Sequence, residues 1–237
     1  MSVGAVTSAT IIANAPLADE ALAGTVRFPQ CSFGVHLNLS EFSPLSPSPG
    51  LQPLLNDRGE FDGDAVRTVR ITQKIQRAVY EEWLAQIQRV AASGTNPSHL
   101  DSHHHVHTVP GLFPVLKSVQ RHFGIRKVRN TKNIYGPTEA YTHGLLIRKR
   151  LWSFALRTYY RSFVAAGFTS FREFHDLSVN GELPRWFRRG FSDATIVELM
   201  VHPGNTLFAN ETEILASGWL GGAGVTLASY NDVSLKV

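Results

Sequence analysis

Stretches of helical periodicity that stop at a glycine, separated by short apolar runs, limit this chain to few folds. Residues 79–93, 112–123 and 148–166 each show an apolar stripe at helical spacing, and glycine follows at Gly94, Gly124 and Gly167. Glycine just past the last periodic residue is a common helix stop, because it accepts the left-handed conformation that closes the last turn. A further helical stretch covers residues 16–24. Between these lie apolar runs of strand length at residues 5–14, 33–39, 98–106, 125–130, 194–202 and 224–230. Strand and helix in alternation build βα units around a parallel sheet. The expectation is an α/β fold, and 237 residues suit one barrel-sized domain over residues 1–237.

The composition is that of a folded globular chain, with 43% hydrophobic and 18% charged residues. Cys31 is the lone cysteine, which excludes an intramolecular disulfide, a cysteine zinc site and a two-cysteine redox motif. The first residues show neither a basic leader nor a long apolar span, so a cytoplasmic protein without a membrane segment is expected. The formal charge of +4 comes from short, dispersed Lys and Arg clusters, which read as solvated faces and helix ends. Nucleic acid is not an expected partner. The Pro-, Ser- and Gly-rich stretch at residues 40–63 reads as an active-site flap. The aromatic residues of 148–166 sit at helical spacing and read as core.

The chemistry is concentrated at residues 99–107, HLDSHHHVH, where five of the ten histidines surround Asp101. Read as a strand, the segment puts His99, Asp101, His103, His105 and His107 on one face and Ser102, His104 and Val106 on the other. Several imidazoles gathered together need partners, and histidine is the commonest metal ligand and general acid or base. His36 lies in a second apolar run, and His202 ends a third before Pro203 and Gly204 break it. Three strand ends thus carry histidine, and in an α/β barrel such ends share one rim. Asp101 reads as orienting a ligand histidine or, in the sharper reading, as a base that activates water. Arg129, at the end of another run, is either a substrate-orienting group or an exposed charge.

These segments, with GAVTSATIIANAP, FGVHLNLSEFSPLS, SHLDSHHHVHTVPGLFPVL, VELMVHPG and GVTLASYNDV in that order, resemble the YdjC-like carbohydrate deacetylases. The resemblance implies a TIM-like (β/α) barrel and metal-dependent removal of an N-acetyl group from an amino sugar or chitooligosaccharide. It implies His36 and His103 as metal ligands and His202 as the general acid, with Asp101, His105, His107 and Arg129 supporting the metal or the substrate. Magnesium is the metal it implies, although two imidazoles suit zinc, cobalt or nickel at least as well. It also implies an N-terminal strand with an Asp-Asp pair that this sequence lacks, so a barrel without its first βα unit is expected. Two other readings stand beside the deacetylase: a non-catalytic metal- or sugar-binding remnant without the catalytic aspartates, and a different metal hydrolase such as a phosphoesterase. The expected partner is an N-acetylated sugar. The sequence does not set the oligomeric state, and a homodimer is compatible with it.

Overall fold

The computed structural model describes residues 4–131, 151, 154, 162, 165, 167–181, 196–223 and 225–235. They fall into two compact units, one formed by Thr7–Val128 with Ser229–Asp232 and the other by Met1–Val6, Arg129–Ala228 and Val233–Val237.

The first unit contains β1 (Ser8–Ile11), β2 (Ser32–Leu37) and β3 (Leu100–Ser102), and four helices: α1 (Ala18–Gly24), α2 (Ala65–Thr68), α3 (Gln73–Ala92) and α4 (Phe113–Phe123). The strands form a parallel sheet in the order β1-β2-β3, with Val128 adding a parallel bridge to Leu100. The register sets His36 beside Asp101. Parallel neighbours need a crossover, and α1 and α3 lie in the two crossovers. α3 starts at Thr72, whose hydroxyl accepts the Ile75 N–H, and it buries Ile75, Val79, Trp83, Ile87 and Val90. That spacing is one helical face. Trp83, Ile87, Val35, Leu37 and Leu100 are fully buried, and each such side chain contributes about 1.5–3 kcal/mol of transfer free energy. α4 ends at Gly124 in the left-handed conformation (φ 69°), as the sequence anticipated. Its Gln120 donates to the carbonyls of Ile125 and Arg126 and fixes the turn that follows.

The histidine segment departs from expectation. β3 ends at Ser102, and His103–Thr108 curls into 3-10 turns with His104 (φ 48°) and His105 (φ 57°) in the left-handed region. Two consecutive left-handed residues end the pleat, so the predicted alternation of faces does not continue past Ser102. The stretch at residues 40–63 carries its own small core, with Leu51, Leu54 and Phe61 buried and Leu55 bridged to Phe61.

The second unit contains the parallel pair β4 (Gly167–Ser170) and β5 (Val197–Met200), with α5 (Phe171–Val179), α6 (Ala209–Ala216) and α7 (Trp219–Gly222). Phe171, Leu215 and Leu220 form its buried cluster, against which Leu199, Val201 and Trp219 pack. Ser170 caps α5 through the Glu173 N–H. Gly167, read from the sequence as a helix stop, opens β4 instead. The expected strand over 224–230 does not form across 225–230, and that over 125–130 is reduced to the bridge at Val128. Most of the predicted helix over 148–166 lies outside the described residues. The architecture is α/β with parallel sheets, and no closed barrel is present among the described residues.

Candidate metal centre

β2 delivers His36 and β3 delivers Asp101 at adjacent positions of the sheet. His36 Nδ1 lies 2.7 Å from Asp101 Oδ1, and the aspartate side chain is fully buried. Thr10 of β1 donates its hydroxyl to Asp101 Oδ2 at 3.2 Å and lies 3.1 Å from His36 Nδ1. A carboxylate accepts at Nδ1, so the imidazole keeps its proton there and leaves Nε2 as the metal-binding atom. This is the usual support of a metal-binding histidine.

His103 follows β3 directly, and its ring centroid is 5.6 Å from that of His36. Its Nε2 is buried without a hydrogen bond, although Glu41 Oε2 stands 3.3 Å away. Burial holds the His103 pKa below the usual histidine value, the neighbouring His104 and His36 push it the same way, and Glu41 opposes them. The imidazole is therefore kept in the neutral form a metal requires. The left-handed turn brings the His104 ring to 3.9 Å from that of His103. Ser40 Oγ contacts His104 Nδ1 at 3.1 Å, and Arg67 donates to the His104 carbonyl at 2.6 Å. Glu41, His103 and His104 each offer a ligand atom, all within 4.8 Å of one another. Two or three nitrogens with a carboxylate oxygen form a donor set that fits a divalent cation.

The other predicted residues take different places. His107 is buried, with Nδ1 hydrogen-bonded to the Ser102 hydroxyl and its backbone N–H donating to Ser102 Oγ. His105 packs edge-on against His107, with ring centroids 6.4 Å apart. His99 stacks on Tyr230 at 3.6 Å. Its backbone carbonyl lies so near β2 that a Cβ at Gly34 would stand 2.6 Å from it, which explains glycine in that strand.

In the second unit, His202 follows β5. Its N–H donates to Glu211 Oε2 at 2.8 Å, its Nδ1 lies 3.4 Å from the same oxygen, and its ring stacks on Phe208. Arg129 pairs with Glu198 at 2.7 Å and lies over the Phe168 ring. With 11% of its side chain accessible, it is not the exposed charge that one reading allowed.

Sequence reasoning missed Glu41 and His104. Strict strand alternation put His104 on the wrong face. The sequence signal at Glu41 is that it is the first carboxylate after the strand that bears His36, which does not by itself place it beside His103.

A carbohydrate deacetylase of Geobacillus stearothermophilus is 36% identical over 139 residues, covering 57% of this chain and 54% of its own length. A chitooligosaccharide deacetylase of Serratia marcescens is 31% identical over 123 residues, covering 52% of this chain and 47% of its own. The chain spans about half the length of the curated relatives it matches. A crystal structure from Enterococcus faecalis, of a protein to which cellobiose-phosphate cleavage has been ascribed, superposes with a TM-score of 0.68 at 24% identity. That superposition covers 96% of this chain and 87% of the other, and it shows likeness of fold. The family model described as YdjC-like protein matches residues 1–220. The chain belongs to the YdjC-like protein family.

Proposed function

We propose that the protein is a metal-dependent deacetylase that hydrolyses the N-acetyl group of an amino sugar or chitooligosaccharide. The observation that carries this is the buried Asp101–His36 pair beside the neutral, hydrogen-bond-free Nε2 of His103. The deacetylase relatives supply the substrate class. A TIM-like (β/α) barrel is the architecture we infer from the βα order and the family.

His36 and His103 would hold the cation, with magnesium implied by the family and zinc, cobalt or nickel favoured by the imidazole donors. When bound, the cation supplies Lewis acidity that polarises an acetamide carbonyl and acidifies water. Asp101 fixes the His36 tautomer through Nδ1 and Thr10 fixes Asp101 in turn, so the ring does not rotate as charge develops. Burial keeps the His103 lone pair free of a proton. His202 is the residue we assign to protonating the leaving amine, a transfer that amide cleavage requires. Glu211 Oε2, 3.4 Å from its Nδ1 and accepting its backbone N–H, holds the ring in place. Arg129, His105 and His107 are assigned supporting roles around substrate and metal.

Acetate release from N-acetylated mono- and oligosaccharides, with magnesium, zinc, cobalt or nickel added in turn, tests the reading. Turnover is expected with at least one metal, and Asp101→Asn is expected to lower it about 10- to 100-fold. Metal binding without acetate release under every condition would replace the deacetylase by the non-catalytic binder.

A further inference from the structure

We propose that Glu41 is the carboxylate ligand of the metal centre and that a buried chain of amides running from Glu82 on α3 holds it there. The inference rests on the metal-dependent reading above and adds a ligand to it.

The first argument is the contact itself. Glu41 Oε2 and His103 Nε2 are 3.3 Å apart, and the nitrogen is buried. Ligands about 2.0–2.1 Å from a tetrahedral metal stand roughly 3.3 Å from each other. His104 brings a further ligand atom within 4.8 Å of both. The His36 ring stands 5.6 Å, centroid to centroid, from that of His103, and the group gathered around Glu41 is two imidazoles and one carboxylate.

The second argument is what lies behind Glu41. Its backbone is gripped from both sides by Asn38: Asn38 Nδ2 donates to the Glu41 carbonyl at 2.6 Å, and Asn38 Oδ1 accepts the Glu41 N–H at 3.3 Å. Asn14 Nδ2 adds a third bond, to the same carbonyl. Asn38 Oδ1 also accepts the Ser40 N–H and hydroxyl, and that hydroxyl oxygen contacts His104. The Asn38 main chain is in turn clamped by Gln86, which accepts its N–H at 2.9 Å and donates to its carbonyl at 2.9 Å. Gln86 also donates to Glu82 Oε1 at 2.8 Å. The Glu82 carboxylate receives the N–H groups of Leu45 and Ser46, so both ends of the loop segment that carries Glu41 are tied to α3. Asn38, Glu82 and Gln86 are fully buried. Buried polar groups are tolerated when every partner is supplied, and a network so satisfied fixes one geometry. Here that geometry sets the backbone of an otherwise exposed glutamate beside His103, the arrangement a preorganised metal site needs. Asn38, Gln86 and Glu82 are positioning residues, since they act through Glu41 and Ser40.

The test is calorimetric titration of the full chain with cobalt(II), followed also by its visible ligand-field absorption, with no substrate present. Wild-type protein is expected to bind one ion with an absorption of low-coordinate cobalt. Glu41→Gln, which keeps the size of a half-exposed side chain and removes its charge, is expected to weaken binding about 10- to 100-fold and to move the absorption. Asn38→Ala, checked for retained fold by circular dichroism, is expected to weaken binding less and to broaden the band as Glu41 loses its hold. A Glu41→Gln titration with wild-type affinity and spectrum would overturn the proposal, as would absence of cobalt binding by the wild-type chain. Acetate release from the same samples is scored separately. Cobalt binding through Glu41 without acetate release would leave this ligand assignment standing and remove the deacetylase reading.

Discussion

At the scale of single residues, the centre depends on a backbone conformation that histidine adopts at a cost. His104 sits at φ 48° and ψ 25°, where a side chain with a Cβ is less stable than glycine by about 1–2 kcal/mol. The surrounding contacts hold it there: Arg67 binds its carbonyl and Ser40 its ring. The strain turns the ring toward His103 rather than leaving it on the opposite face of a strand. His104→Gly should therefore be about 1 kcal/mol more stable than His104→Ala in metal-free urea unfolding, because both lose the ring and only alanine keeps the strain. Both variants should bind cobalt more weakly than the wild type. Equal stability of the two would show that the turn carries no strain worth relieving.

At the scale of elements, α4 contains a titration that sets a pH dependence. Desolvation lowers the Lys117 pKa from its ordinary value to about 8, and the nearby Arg121 and Arg126 add to the effect. Between pH 8 and the unfolded-state value near 10.5, the unfolded chain binds more protons than the folded one, so stability rises with pH across that window. Arginine stays charged throughout. The stability of wild type relative to Lys117→Arg should therefore grow from pH 8 to pH 10.5 by about 1–2 kcal/mol, allowing for solvent around a partly accessible amine. Urea midpoints at closely spaced pH values read this directly, and parallel curves would exclude it. Elements are also where the sequence was most and least legible. α3 and α4 were readable because their apolar stripes are long and their glycine stops carry a steric signature. β1 and β2 were readable as short β-rich runs. The histidine run was not, since three identical side chains give no hydrophobic alternation to mark where a strand ends. Its end is set by the left-handed pair at His104 and His105, a tertiary choice that the residues do not announce. His36, Asp101 and His103 could still be found, because they lie within or immediately after strands. Glu41 could not be placed from sequence, because its position comes from Asn38, Gln86 and Glu82, residues separated from it in the chain by up to 45 positions.

At the scale of the molecule, a metal ion would link segments that the chain brings together only on folding. His36 and His103 are 67 residues apart in sequence, one in β2 and the other in the turn after β3 of the same unit. In the unfolded chain they share no site, so an ion held by both binds the folded form alone and adds to its stability by mass action. At a free metal concentration a hundred times the dissociation constant the gain is about 2.7 kcal/mol. For a chain of this size that corresponds to a melting temperature higher by about 5–10 °C. Thermal scans of wild type with and without zinc, and after chelator treatment, should show that shift, and it should grow with the logarithm of free zinc. His36→Ala and His103→Ala should each abolish most of it. A zinc shift retained in both variants would place the ion elsewhere, because an exposed histidine such as His122 cannot reproduce a dependence on residues from β2 and the turn after β3.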